Sequence, residues 1–257
     1  MRLFIPFEAF VEGDKTISGG KAWSLSLLAK TGFDIPEGAV LSVEAYRTYV
    51  DSTGIGERIM LEINRKPFES MRWEEMWDAA LRIRNLFLKT PIPADLYEEI
   101  AHQIENIFRE DAVAVRSSAP GEDSGGASFA GLHESFLNIK GTENILEHIR
   151  LVWASLWSDA ALLYRRELGL DVSRSSMAVV IQKLAAGDRS GVVFSRNPMD
   201  NTTSIVEAVW GLNQGLVDGT VSPDRWIIDR KTEKIRDHAP AEREIAVRPS
   251  LKGTRLE

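Results

Sequence analysis

Along the first half of the chain, apolar side chains recur at intervals of three and four. Leu96, Ile100, Ile104 and Phe108 are spaced by four, which predicts an amphipathic helix over residues 94–108. Trp73, Met76, Ala80, Leu81, Ile83 and Leu86 predict another over residues 71–88, ended by Pro91 and Pro93. Residues 21–30 carry Trp23, Leu25, Leu27 and Leu28, with Gly32 as the stop signal. Residues 38–43 read as a strand, and Ser42 is placed to cap a helix running through residues 46–50.

The period changes in the second half. Residues 112–115, 134–139, 177–182, 191–194 and 204–209 read as strands, and the run RWIIDRKTEKI as a hairpin turning at residues 230–232. Residues 143–168 read as one or two helices after a start at Gly141-Thr142, with Trp153 and Trp157 on one face. Strands interleaved with helices predict a mixed architecture of the α+β class. The lobe boundary is expected at residues 109–111, between a mainly helical first lobe, 1–110, and a second lobe, 111–257, that carries most of the strands.

Composition narrows the reading. The chain has 257 residues, 44% hydrophobic and 27% charged, enough for one large or two small soluble domains. A net charge of −7 argues against a chain-wide nucleic-acid footprint. There is no cysteine, which excludes thiolate chemistry and disulfides and fits a cytoplasmic protein. No stretch approaches the apolar length of a membrane span, so no membrane partner is expected. The seven tryptophans read as core or lobe-packing residues.

Two places carry candidate chemistry. In SGGKAWSLSLLAK, Gly19 and Gly20 precede a helix that starts near Lys21. Helix N-termini attract anions, so a lysine in the first turn is misplaced unless an anion sits between it and the amides. A solvated lysine after a flexible turn is the simpler alternative. The pattern is neither a Walker A loop nor a dinucleotide fingerprint. In DAVAVRSSAPGEDSGGASFAG, a short apolar strand delivers Arg116 to a long loop of small residues. An arginine with hydroxyls beside it can clamp phosphate oxygens, and such a loop could close over a nucleotide. An ordinary surface arginine remains the alternative. Gln182, which closes one apolar run, and Glu207, which interrupts another, are uninformative alone. A solvent-facing Glu207 is the simpler reading, against one that holds ribose or metal. None of His102, His133, His148 and His238 has a partner at metal-ligand spacing.

Taken together, the blocks SGGKAWSLSLLAKTGFDIPEGAVLS, AVAVRSSAPGEDSGGASFAGLHESFLNI, VVIQKLAAGDRSGVVFSRNP and AVWGLNQGLVDGTVSPDRWIID resemble, in the same order, the phosphoenolpyruvate synthases (pyruvate, water dikinases). Pyruvate phosphate dikinases and rifampicin phosphotransferases share this N-terminal module. The similarity covers roughly residues 15–230, and the block from Val115 to Phe136 is its most specific part.

The resemblance implies an ATP-grasp-like nucleotide-binding domain of two lobes, truncated at its C-terminal end, with ATP and Mg²⁺ as cofactors. Carried over residue by residue, Lys21 and Arg116 would hold the phosphates and act in catalysis. Gly131 and Ser135 would lie along the nucleotide, and Gln182 would face the adenine. In the intact enzyme ATP would phosphorylate a remote histidine, which hands the phosphoryl group to pyruvate. The family's metal ligands, phosphorylated histidine and pyruvate-binding barrel would lie beyond residue 257, so the chain alone is expected to be inactive and, with an uncovered edge, to self-associate. A rifampicin-type phosphotransferase module and a non-catalytic nucleotide-binding module are the alternatives. One departure stands out: Gly211-Leu212-Asn213-Gln214 replaces the family's frequent G-L-G-E, so Gln214 stands where an acid is usual.

Overall fold

The computed structural model describes residues 2–120 and 131–257. They form two compact units, Met1–Leu184 and Ala185–Glu257. Most of the nucleotide-closing loop expected from the sequence, residues 121–130, lies outside the described residues.

The first unit is built on an antiparallel sheet of five strands: β1 (Phe4–Pro6), β2 (Gly38–Leu41), β3 (Val113–Ser118), β4 (Ser135–Ile139) and β5 (Ala178–Lys183), in the order β1-β2-β5-β3-β4. The apolar run of β5 is continuous because the central strand is buried on both faces. Val179 and Ile181 enter one core, Ala178 and Val180 the other.

The smaller core, with Ile5, Phe7, Ala22 and Val40, lies under α1 (Lys15–Lys30). The larger core packs α2 (Val43–Thr53), α3 (Ile55–Ile63), α4 (Trp73–Lys89), α5 (Ala94–Phe108), α6 (Thr142–Ser155) and α7 (Asp159–Glu167). Its centre is aromatic. Tyr49 stacks on Trp153 at 5.1 Å and Tyr46 meets the same indole edge-on at 5.9 Å. Trp157 Nε1 donates to the Tyr46 hydroxyl at 2.9 Å, and the Tyr49 hydroxyl donates to the Thr90 carbonyl at 2.8 Å. The tips of Trp157, Tyr46 and Tyr49 are thus bonded, whereas Trp153 Nε1 is buried with no hydrogen-bond partner among the described residues. Burial pushes the Tyr49 hydroxyl up to about 12.

The local signals read from the sequence act as expected at several points. Ser42 Oγ accepts from the Glu44 amide at the start of α2. Gly32, at φ 84°, ends α1: its amide bonds the Ala29 carbonyl and the Phe33 amide bonds that of Leu28. This is the left-handed glycine cap, which other residues adopt only with strain. Residues 143–168 form two helices, α6 and α7, and Trp153 and Trp157 share the larger core.

Three features differ from the sequence reading. Neither α3 nor β1 was anticipated, the first being only nine residues long and the second three. The compact units divide at Leu184, not at residues 109–111, because β3 pairs with β5 and β5 with β2, tying both sides of the expected boundary into one sheet. On α4 the core side is Met76, Ala79, Ala80, Ile83 and Phe87, while Trp73, Trp77 and Leu81 are exposed. This helix carries two apolar stripes and one core receives only one of them. Two of the tryptophans are therefore half exposed and lie outside the buried core.

The second unit is an antiparallel sheet, β6 (Arg189–Phe194), β7 (Thr203–Trp210), β8 (Asp224–Asp229) and β9 (Ile235–Ala239), with a short helix α8 (Gln214–Val217) and a ribbon of β10 (Val247–Pro249) and β11 (Thr254–Leu256). Asp229 makes the expected β8–β9 hairpin: its Oδ1 accepts from the Lys231 and Thr232 amides at 2.9 and 2.7 Å. Asp224 accepts from Arg243 at 2.7 and 2.6 Å, and these bonds hold its carboxyl down to about 2.

Candidate functional site

The helix over SGGK is not continuous. Gly19 has φ 76° and ψ 169°, so α1 is two helical segments meeting at a break. The second segment restarts at residue 20 and presents Lys21 and Ala22 in its first turn, where the amides of a helix have no carbonyl partner of their own. One of them is satisfied from the sheet: the Ala22 amide donates to Ser118 Oγ at 3.2 Å. The same hydroxyl donates to the Ser18 carbonyl at 2.8 Å. A Cβ on Gly19 would fall onto the Ser118 carbonyl oxygen, so strand and helix turn are in direct backbone contact.

Strand register places the other candidates on this same face. Arg116 pairs with Val180 on one side and Ser135 on the other, while Ala114 pairs with Gln182. Val180 belongs to the core beneath α1, so Arg116, Ser118, Ser135 and Gln182 share the α1 face by alternation. Gln182 is buried, and its Nε2 donates to the Pro36 carbonyl at 3.0 Å. Gly131, at φ 78°, is the first residue of the second described stretch. The sheet thus brings Arg116, Ser135 and Gln182 to one surface and puts the Lys21 turn at its β3 end.

His133 adds an electrostatic marker. Burial pushes its imidazole down to about 4, helped by the positive charges of Arg165 and Lys21 and opposed by the Ser155 carbonyl 3.3 Å from Nδ1. Lys21 adds the smallest of these contributions, in the same direction as Arg165. Sequence reasoning passed over this histidine, since nothing in its local pattern marks burial beside cations.

The remaining candidates resolve into structural roles. Glu207 lies opposite Arg225 and pairs with it at 3.5 Å, a cross-strand ion pair. The Gln214 Oε1 accepts from Thr254 Oγ1 at 2.8 Å, joining α8 to β11. His102 and His148 sit on the surfaces of α5 and α6, and His238 stacks on Trp226 at 4.8 Å. A cavity of about 660 Å³ in the first unit, lined by Tyr46, Arg47, Pro120, Trp157, Arg165 and Arg174, includes neither Lys21 nor Arg116. Among the described residues no three His, Asp or Glu side chains converge on a metal-sized site, and no helix is long and apolar enough to cross a membrane.

A broken helix with a first-turn lysine, on the same sheet face as a strand arginine, has the donors to hold a polyphosphate. The class this fits is an α+β nucleotide-binding domain. Comparison with known proteins agrees: residues 15–256 match the family described as "Pyruvate phosphate dikinase, AMP/ATP-binding domain", and the chain belongs to that family. It is similar to the phosphoenolpyruvate synthase of Aeropyrum pernix, 39% identical over 84% of this chain and 27% of that protein. It is also similar to a probable phosphoenolpyruvate synthase of Methanocaldococcus jannaschii, 34% identical over 93% of this chain and 21% of that protein. The rifampicin phosphotransferase of Bacillus cereus is 33% identical over 93% of this chain and 28% of that protein. The chain thus spans well under half the length of these relatives.

Proposed function

We propose that this chain is the ATP-binding module of a phosphoenolpyruvate synthase-like dikinase, with an ATP-grasp-like mode of holding the nucleotide. Lys21 and Arg116 neutralise the phosphates, Ser135 and Gly131 line the nucleotide, and Gln182 faces the adenine. The Gln182 Nε2 donates to the Pro36 carbonyl, and its carboxamide oxygen would accept from the adenine amino group. In the whole protein the phosphoryl group would pass to a histidine on another domain and from there to pyruvate. Phosphoryl transfer depends chiefly on positioning and charge neutralisation, which is what these two cations supply. The described residues alone do not make a magnesium cage. A rifampicin-type phosphotransferase module is the alternative within the same family, its 33% identity falling inside the 29–39% range of the phosphoenolpyruvate synthases.

One observation carries the reading: Arg116, Ser135 and Gln182 share a sheet face that meets the restarted α1 at Ser118. Calorimetry tests it. Lys21→Met or Arg116→Met should weaken ATP binding about tenfold or more, since a charge-assisted bond contributes about 1.5–3 kcal/mol, and leave adenosine binding nearly unchanged. Equal losses for both ligands would sink the assignment.

Two further expectations belong to this reading. The absence of cysteine fits a cytosolic setting, and recovery of the native protein in a membrane or extracellular fraction would contradict it. β6 and β9 are the outer strands of their sheet, with Val193, Phe194 and Ile235 exposed, so the chain is expected to self-associate. Light scattering that shows a monomer across a concentration series would rule that out.

A further inference from the structure

We infer that Ser118 is the positioning residue of the phosphate site, a buckle whose hydroxyl sets the separation of Lys21 and Arg116. The inference rests on the nucleotide reading above for its ligand, but its geometry stands apart from it. Ser118 is fully buried and lies two residues beyond Arg116 on β3, so both side chains project to the same face. Its Oγ accepts from the amide of Ala22, the neighbour of Lys21, and donates to the carbonyl of Ser18. One hydroxyl therefore holds both sides of the break at Gly19, and its donor and acceptor capacities are both used. The missing side chain at Gly19 is part of the same device. A Cβ there would lie on the Ser118 carbonyl oxygen and 2.6 Å from Oγ, so only glycine allows the helix turn to seat on the strand.

The consequence is electrostatic. Lys21 and Arg116 carry like charges on elements 95 residues apart in sequence, so bringing both to one anion works against their mutual repulsion. A tether beside each of them keeps the two cations at a fixed spacing before ligand arrives, so the ordering cost is met during folding and not on binding. Ser118 touches no nucleotide in this scheme. It acts through the two residues it places.

Spin-label distances and calorimetry test this together. The chain has no cysteine, so Ser24→Cys and Lys140→Cys, at exposed positions on α1 and just after β4, take two labels without background. The expected result is one narrow distance distribution that broadens or shifts with Ser118→Ala and is kept by Ser118→Thr, which retains the hydroxyl. In the cysteine-free chain, Ser118→Ala should weaken ATP about tenfold while adenosine changes less than about twofold, and Ser118→Thr should restore ATP binding. An unchanged distance distribution overturns the proposal, and so does an equal loss for ATP and adenosine, which would mark a purely structural serine. If Ser118→Ala does not fold, Gly19→Ala disturbs the same contact from the helix side and is read in its place. Should Lys21→Met and Arg116→Met fail to separate ATP from adenosine, the nucleotide reading fails, and the distance distribution still decides whether Ser118 sets the geometry.

Discussion

At the scale of single residues, burial beside cations gives His133 a measurable signature. Its imidazole is held at about 4 against a usual 6.5, chiefly by burial. Between those two values the unfolded chain binds a proton that the folded chain does not. Stability contributed by neutral His133 is thus complete above pH 7 and is lost as pH falls through about 6.5 toward about 4. Urea midpoints at pH 7 and pH 5 should differ less for His133→Gln than for the unmodified protein. An identical pH dependence in both would mean that His133 is not buried next to Lys21 and Arg165. Asp224 has the opposite ionisation and the same direction: held at about 2 by Arg243, it contributes stability that is lost only as pH falls below about 3.8.

At the scale of elements, α1 is defined by where it breaks. Gly19 adopts a positive-φ conformation, with ψ 169°, that is essentially glycine's own and costs other residues about 1–3 kcal/mol, and here a methyl group also meets the Ser118 carbonyl. Gly19→Ala is expected to destabilise by about 2 kcal/mol or more, whereas Gly13→Ala, where a Cβ would meet nothing within 4 Å, should change little. Thermal melts of the two variants make the comparison, and matching melting temperatures would show that the break is dispensable. The sequence announced the helix and its glycine pair. It did not announce that the helix continues on the N-terminal side of them, because a break and a start look alike when only one strand's hydroxyl distinguishes them. Likewise on α4, Trp73, Trp77 and Leu81 carry the helical period as well as Met76, Ile83 and Phe87 do. Periodicity identifies the helix but not which stripe the neighbouring helices cover.

At the scale of the molecule, the apolar cores lie almost wholly in the first unit. The large core runs from Leu3 to Ile181, and the second unit contributes few buried side chains, among them Ile205, Val209 and Leu212. β9 is exposed along its whole length. Few buried contacts and an open edge make a unit open readily. Hydrogen exchange should therefore proceed faster in β8 and β9 than in β3 and β5, with β5 the slowest since both its faces are buried. Equal protection in the two sheets would argue that the units unfold as one.

The sequence by itself determined the helices and strands whose signals are local. The capping serine at 42, the stop at Gly32, the helix over residues 94–108 and the hairpin turning on Asp229 each depend on neighbours within a few residues. Local rules of period, capping and turn chemistry suffice for these. The residues that carry the candidate site were also legible, Lys21 and Arg116 by being charges out of place and Ser135, Gly131 and Gln182 only through resemblance to a family. What tertiary structure alone decided is which of these meet. Arg116 and Ser135 become neighbours because β4 returns beside β3, and Gln182 joins their face because β5, far along the chain, enters between β2 and β3. The unit boundary followed from that same insertion, and Ser118 acquired its place between strand and helix from a contact across 96 residues. Strand order and burial are settled by which faces exclude water together, and that is a property of the whole packed chain and not of any window along it.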